Sequence, residues 1–206
     1  MTVGVKICGL RDPAGWDAAV EAGADWLGLN FFPPSPRYLT VAEAARLAAR
    51  GTGGAGLVGL FVAPFRDEEV RSVLDAVPLA AAQIYGPVNE LGERFGVPIW
   101  QALGISGAAD LPLEANEADR LVVEATPPVG ATRPGGNATR FDWSALSGWR
   151  APLPWILAGG LTVANVAEAI RVTGTEAVDV SSGVESSPGR KDPALIRAFI
   201  MAARSA

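Results

Sequence analysis

Two reactive side chains sit at the ends of apolar runs, where a parallel strand would deliver them to one edge of a sheet. Cys8 closes Val3–Cys8 and is the only cysteine of 206 residues; Glu124 closes Leu121-Val122-Val123-Glu124. A thiolate is a base or nucleophile, and a carboxyl partly withdrawn from water acquires the raised pKa of a general acid. Each has an ordinary alternative: a small core hydrophobe for Cys8, and an ion pair with a cation such as Lys6 for Glu124. Lys6 lies two residues before Cys8, so both side chains share a strand face, and its ammonium is expected to favour the thiolate.

Two small-residue segments suggest anion binding. Leu157-Ala158-Gly159-Gly160-Leu161 lets a ligand oxygen reach backbone amides with no Cβ in the way, and Val180-Ser181-Ser182-Gly183-Val184 offers further amides and hydroxyls. Tight turns alone are the competing explanation for these glycines. Arg37, inside the stiffened Pro34-Ser35-Pro36-Arg37-Tyr38 loop, carries a guanidinium suited to bidentate capture of a carboxylate or phosphate, with surface solvation as the alternative.

Composition narrows the chemistry. There are no histidines, which removes histidine triads, histidine proton shuttles and most zinc sites; the remaining carboxylates and the lone cysteine form no convincing metal cluster. No metal is expected. Lys and Arg number 17 against 22 Asp and Glu, for a net charge of −5, without a basic run. Nucleic acid and anionic membrane are therefore not expected partners. A single cysteine forms no internal disulfide, the N-terminal stretch does not read as a signal peptide, and the longest apolar stretch falls well short of the ~20 residues of a membrane span. A cytoplasmic protein is expected.

The elements that must position these residues alternate along the whole chain. Strands are expected at Val3–Cys8, Asp25–Phe31, Leu57–Val62, Leu79–Ile84, Val97–Leu103, Arg120–Glu124, Trp155–Ala158 and Ala177–Val180. Helices are expected from Asp12-Pro13 to Glu21, Thr40–Arg50, Arg66–Ala76, Val88–Phe95, Thr162–Val172 and Asp192–Arg204, with Thr40 and Glu43 forming a capping box. After the fifth strand only a weak helix is expected, because Pro112 interrupts the segment. A loop of about 17 residues follows the sixth strand, before a short helix near Trp143–Leu146.

The strands are almost continuously apolar, as in a parallel sheet covered on both faces. Eight such units in a chain of this length predict an α/β (β/α)₈ TIM barrel, a single domain over residues 1–206. A doubly wound open sheet competes, but its Gly-rich first turn is reduced here to Cys8-Gly9-Leu10. In the barrel, chemistry sits at the C-terminal ends of the strands, which selects Cys8, Asn30, Gln83, Glu124, Gly159, Gly160, Ser181, Ser182 and Gly183. Phosphate recurs between strands seven and eight of such barrels.

Taken together, Lys6-Ile7-Cys8-Gly9-Leu10, Ser35-Pro36-Arg37-Tyr38, Phe141-Asp142-Trp143, Leu157-Ala158-Gly159-Gly160-Leu161, Val178-Asp179-Val180-Ser181-Ser182-Gly183-Val184-Glu185 and Pro188-Gly189-Arg190-Lys191-Asp192 resemble the phosphoribosylanthranilate isomerase family along essentially the whole chain. The resemblance implies a cofactor-free Amadori rearrangement of an aminoaldose to an aminoketose in tryptophan biosynthesis. Cys8 falls on the family's base, Glu124 on its general acid, Arg37 on the residue that holds the anthranilate carboxylate, and the two small-residue loops on the phosphate site. It further implies a small phosphorylated substrate and a monomer or homodimer.

The chain departs from the family pattern in three places. The family's acid is an aspartate where this chain has Glu124. The family's Gln-Leu-His-Gly is Gln83-Ile84-Tyr85-Gly86 here, which places Gln83 and Tyr85 among the substrate-binding candidates with Lys6. Pro134-Gly135-Gly136-Asn137-Ala138-Thr139 replaces a more glycine-rich loop. Two further functions stay open: a divergent paralogue acting on another phosphorylated aminosugar, and a catalytically weak phosphosugar-binding barrel. The latter would have no need for a base on strand one.

Overall fold

The computed structural model describes residues 2–128, 130, 131, 134, 135 and 140–206. Eight parallel strands close into a barrel in chain order: β1 (Gly4–Cys8), β2 (Trp26–Asn30), β3 (Gly56–Val62), β4 (Leu79–Tyr85), β5 (Ile99–Ile105), β6 (Arg120–Ala125), β7 (Trp155–Leu157) and β8 (Ala177–Val180). The first and last strands pair in register, with Lys6 opposite Asp179 and Ile7 opposite Val180. The predicted (β/α)₈ architecture is the observed one.

Local chemistry explains where the helices start. In α1 (Pro13–Glu21) Asp12 accepts from the Gly15 amide at 2.9 Å, and Pro13, whose missing N–H costs nothing there, opens the first turn. The expected box caps α2 (Val41–Ala48): Glu43 accepts from the Thr40 amide at 2.8 Å while Thr40 Oγ1 accepts from the Glu43 amide. Asp192 and Pro193 open α6 (Pro193–Arg204) in the same way as α1. Between them lie α3 (Asp67–Ala76), α4 (Leu91–Phe95) and α5 (Val166–Thr173).

Among the described residues, two positions of the outer ring carry no α-helix. After β5 there is only a 3₁₀ turn at Ala108–Asp110, where Asp110 takes the amides of Ser106 and Gly107 and Pro112 follows at once. After β6 there is a 3₁₀ turn at Trp143–Leu146. An unpredicted ribbon follows β8. A 3₁₀ turn at Ser182–Val184 leads into an antiparallel ribbon of β9 (Glu185–Ser187) and β10 (Arg190–Lys191) before α6.

The N-terminal end of the barrel is plugged. Trp26 and Trp100 meet edge to face with centroids 5.4 Å apart, and the Arg120 guanidinium carbon lies 5.1 and 5.0 Å from the two rings. Side chains alternate along each strand, so every second residue points inward; Val58, Ala81, Ala102, Val122 and Ile156 pack the interior above this plug. The open end is the C-terminal one. Among the described residues no helix is long and apolar enough to cross a membrane.

Candidate active site

The strands lift Cys8, Tyr85 and Glu124 to one opening, where Asn30, Arg37, Gly159, Gly160, Ser181 and Ser182 complete a cleft of about 620 Å³, counting space open to solvent. Candidates that are far apart in the chain are thus brought together. Lys6, Gln83 and Gly183 do not line it. Gln83 is buried in the barrel interior, and neither atom of its amide has a hydrogen-bond partner among the described residues.

Lys6 lies beneath Cys8. Its fully buried ammonium pairs with Asp179 at 3.0 Å, and not with Glu124 as the sequence suggested. The reason is register: Lys6 and Asp179 are direct neighbours across the seam between β1 and β8. Gly28 on β2 makes room for the group, because a Cβ there would come within 3.1 Å of the Cys8 sulfur and 3.2 Å of Lys6 Nζ. Burial works to lower the Lys6 pKa, but Asp179 and Cys8 outweigh it and the ammonium is held up.

The Cys8 thiol moves the other way from expectation. Burial pushes it up, Lys6 and Lys191 pull it down, Asp179 opposes them, and the net direction is upward from a usual 9.0. Lys6 therefore moderates the desolvation of the thiolate without reversing it.

Glu124 receives a hydrogen bond from the Tyr85 hydroxyl. Burial and the adjacent carboxyl raise the Tyr85 pKa well above 10.0, so the phenol keeps its proton and acts as a donor. The loop after β6 reaches back over this pair: a Cβ on Gly135 would meet Tyr85 Oη at 2.3 Å and Glu124 Oε1 at 2.8 Å. Gly136, Asn137, Ala138 and Thr139 of the same loop lie outside the described residues.

The two small-residue loops touch. Gly159 and Gly160 both adopt left-handed backbone, at φ 82° and 64°. Asn165 fixes the turn by accepting from the Thr162 amide at 2.8 Å and donating to the Gly160 carbonyl at 3.0 Å. Gly183 packs flat on the neighbouring loop, since a Cβ there would lie 1.9 Å from the Leu161 carbonyl oxygen. Its place is structural, holding Ser181 and Ser182 beside Gly159 and Gly160.

Arg37 is 3% exposed, so the surface alternative fails. Its Nε and Nη2 donate to Glu185 at 2.7 and 2.9 Å, and Lys191 Nζ donates to the same carboxylate at 2.8 Å. Asp179, Glu185 and Lys191 carry no role in the sequence analysis. For Asp179 a signal existed: it is the single charge of an apolar strand, as Lys6 is on the strand beside it.

Fold and site together define a (β/α)₈ barrel with a thiol, a carboxyl and a guanidinium at its C-terminal mouth, beside two small-residue loops after β7 and β8. Residues 5–202 match the family described as N-(5'-phosphoribosyl)anthranilate (PRA) isomerase. The chain belongs to that family. It is 52% identical over 216 residues to an N-(5'-phosphoribosyl)anthranilate isomerase of Paramagnetospirillum magneticum, covering 99% of this chain and 98% of the relative. The crystal structure of phosphoribosyl anthranilate isomerase from Thermotoga maritima superposes with a TM-score of 0.86 at 34% identity, over 99% of this chain and all of that one. A phosphoribosyl anthranilate isomerase in complex with reduced 1-(o-carboxyphenylamino)-1-deoxyribulose 5-phosphate gives 0.83 at 32% identity, with the same coverage.

Proposed function

We propose that this chain converts N-(5-phosphoribosyl)anthranilate to 1-(o-carboxyphenylamino)-1-deoxyribulose 5-phosphate, a step of tryptophan biosynthesis in the cytoplasm, with Cys8 as base and Glu124 as acid. The supporting observation is that Cys8, Glu124, Arg37 and both small-residue loops line one cleft. Glu124 gives its proton to the ribose ring oxygen; the C1′–O bond breaks and the anilino nitrogen supplies the electrons, leaving a protonated Schiff base. The Cys8 thiolate then removes the C2′ proton. The enolamine tautomerises to the ketone by losing its hydroxyl proton and gaining one at C1′. Cys8 ends a turnover protonated and Glu124 ionised, so one proton must pass between them through solvent before the next.

Arg37 receives the anthranilate carboxylate, and the amides at Gly159 and Gly160 with the Ser182 hydroxyl receive the phosphate beside Ser181, whose own hydroxyl donates to the Cys8 carbonyl at 3.1 Å. Tyr85 holds Glu124 in place, which accommodates a carboxyl one methylene longer than aspartate. Loss of substrate fluorescence is the assay. Cys8→Ala and Glu124→Gln are each expected to lose about 10²–10⁴-fold in kcat, with circular dichroism unchanged. No turnover by the unaltered chain refutes the activity, and full turnover by Cys8→Ala refutes the mechanism.

A further inference from the structure

The proposed reaction gives Glu185 and Lys191 nothing to do, yet the Glu185 carboxylate lies buried against Arg37 and the Lys191 ammonium against Glu185. We propose that Glu185 is a positioning residue that aims Arg37, locked in turn by Lys191, and that this cluster sets the preference for a carboxylate-bearing substrate. The inference rests on the isomerase reading, in which Arg37 takes the anthranilate carboxylate.

Glu185 is saturated. Oε1 accepts from Arg37 Nε and Lys191 Nζ, and Oε2 accepts from Arg37 Nη2 at 2.9 Å and from the Gly189 amide at 3.2 Å. Four donors fill the four lone-pair sites of a carboxylate. A substrate hydroxyl would find no acceptor capacity there, so Glu185 acts through Arg37 and not on substrate.

The geometry of the fork sets direction. Glu185 takes the Nε–H and one Nη2 hydrogen, so one hydrogen on Nη2 and two on Nη1 remain for an anion in the cleft that Arg37 lines. The stem of Arg37 lies across Gly9, where a Cβ would meet its Cδ at 2.4 Å, directly beside Cys8. Lys191 spends its other donors on Ser181, reaching the carbonyl at 2.9 Å and Oγ at 3.2 Å. One buried ammonium thereby ties the mount of Arg37 to the loop after β8. A flexible arginine is converted into a fixed one, which is what recognition of a planar anion needs.

Charge alone predicts the reverse outcome. Two cations share one carboxylate, so neutralising Glu185 leaves the site more positive and would tighten any anion. Loss of aim would loosen only the carboxylate contact. Steady-state kinetics of Glu185→Gln on N-(5-phosphoribosyl)anthranilate and on N-(5-phosphoribosyl)aniline, which lacks the carboxylate, separates the two.

The expected result is a preference for the carboxylate substrate reduced about tenfold or more through KM, as for a contact misplaced by a fraction of an ångström. Turnover of the aniline substrate and inhibition by inorganic phosphate should change by a smaller factor, whatever Lys191 passes on to Ser181, because neither uses Arg37. In an Arg37→Met background, Glu185→Gln should cost no further preference. Where Glu185→Gln does not fold, Glu185→Asp, which keeps the charge and shortens the reach, carries the same comparison. An undiminished preference, a tightened KM, or losses that add in the double variant overturn the inference. If the unaltered chain shows no turnover of the carboxylate substrate, the isomerase reading fails first and this inference fails with it.

Discussion

Replacing Lys6 by Met should destabilise the barrel and raise the Cys8 thiol further. Lys6 has no exposed surface and the Asp179 side chain, though it borders the cleft, is only 8% exposed, so water replaces the lost ammonium poorly. Asp179 Oδ1 already has no partner among the described residues, and the substitution would strip Oδ2 as well. Removing one partner of a buried ion pair costs about 3–5 kcal/mol. At roughly 2–4 °C per kcal/mol for a domain of this size, the midpoint of thermal unfolding should fall by about 6–20 °C. Lys6 is also the strongest of the influences holding the thiol down, while Asp179 pushes it up. Without Lys6, burial and Asp179 act upward against Lys191 alone. Urea unfolding and the pH dependence of iodoacetamide alkylation at Cys8 read the two effects separately. Adding Asp179→Asn should recover part of the stability, because the uncompensated charge is gone. A loss under about 1 kcal/mol, or a thiol titration that stays put or moves down, refutes the argument.

Because burial holds the thiol above its usual range, the rate of iodoacetamide alkylation at Cys8 in the unaltered chain should climb about tenfold per pH unit from pH 7 to 9 as the thiolate fills; a plateau reached below pH 8 contradicts that. Tyr85→Phe removes the donor to Glu124 and should lower kcat roughly tenfold or more, the worth of a hydrogen bond to a charged group, with an unchanged kcat as the contrary result. Gly183→Ala drives a methyl group into the Leu161 carbonyl and parts the two loops. Inhibition by inorganic phosphate should weaken about tenfold while kcat changes less, and unaltered inhibition would mean the loops do not hold phosphate.

Much of the barrel was readable because its strands are short apolar runs between Ala-rich helices, and the caps at Asp12, Thr40 and Asp192 mark their starts. The ribbon after β8 was not. Glu185-Ser186-Ser187 and Arg190-Lys191 have no apolar pattern, and their pairing depends on a turn at Gly189 and on two buried ion pairs, one within the ribbon and one with the distant Arg37. Period-two alternation placed Lys6 and Cys8 on one face but could not give depth. Lys6 and Gln83 point inward like Cys8 and Tyr85, yet lie one layer below the cleft. Partner choice was also hidden. Only the register of the closing strands selects Asp179 over Glu124 for Lys6. For Arg37 surface solvation stood as an alternative because its loop is polar and proline-rich, and the carboxylate that buries it comes 148 positions later.

The pair of Lys6 and Asp179 joins residues 173 positions apart, on the first strand and the last. Such a contact carries the loop-closure entropy of nearly the whole chain and cannot exist until β8 has docked. A nascent or partly folded chain therefore holds Cys8 as an ordinary accessible thiol with no ammonium beneath it. Thiol reactivity during refolding becomes a clock for ring closure, and the proposed base acquires its setting only at the moment when the two ends of the protein meet.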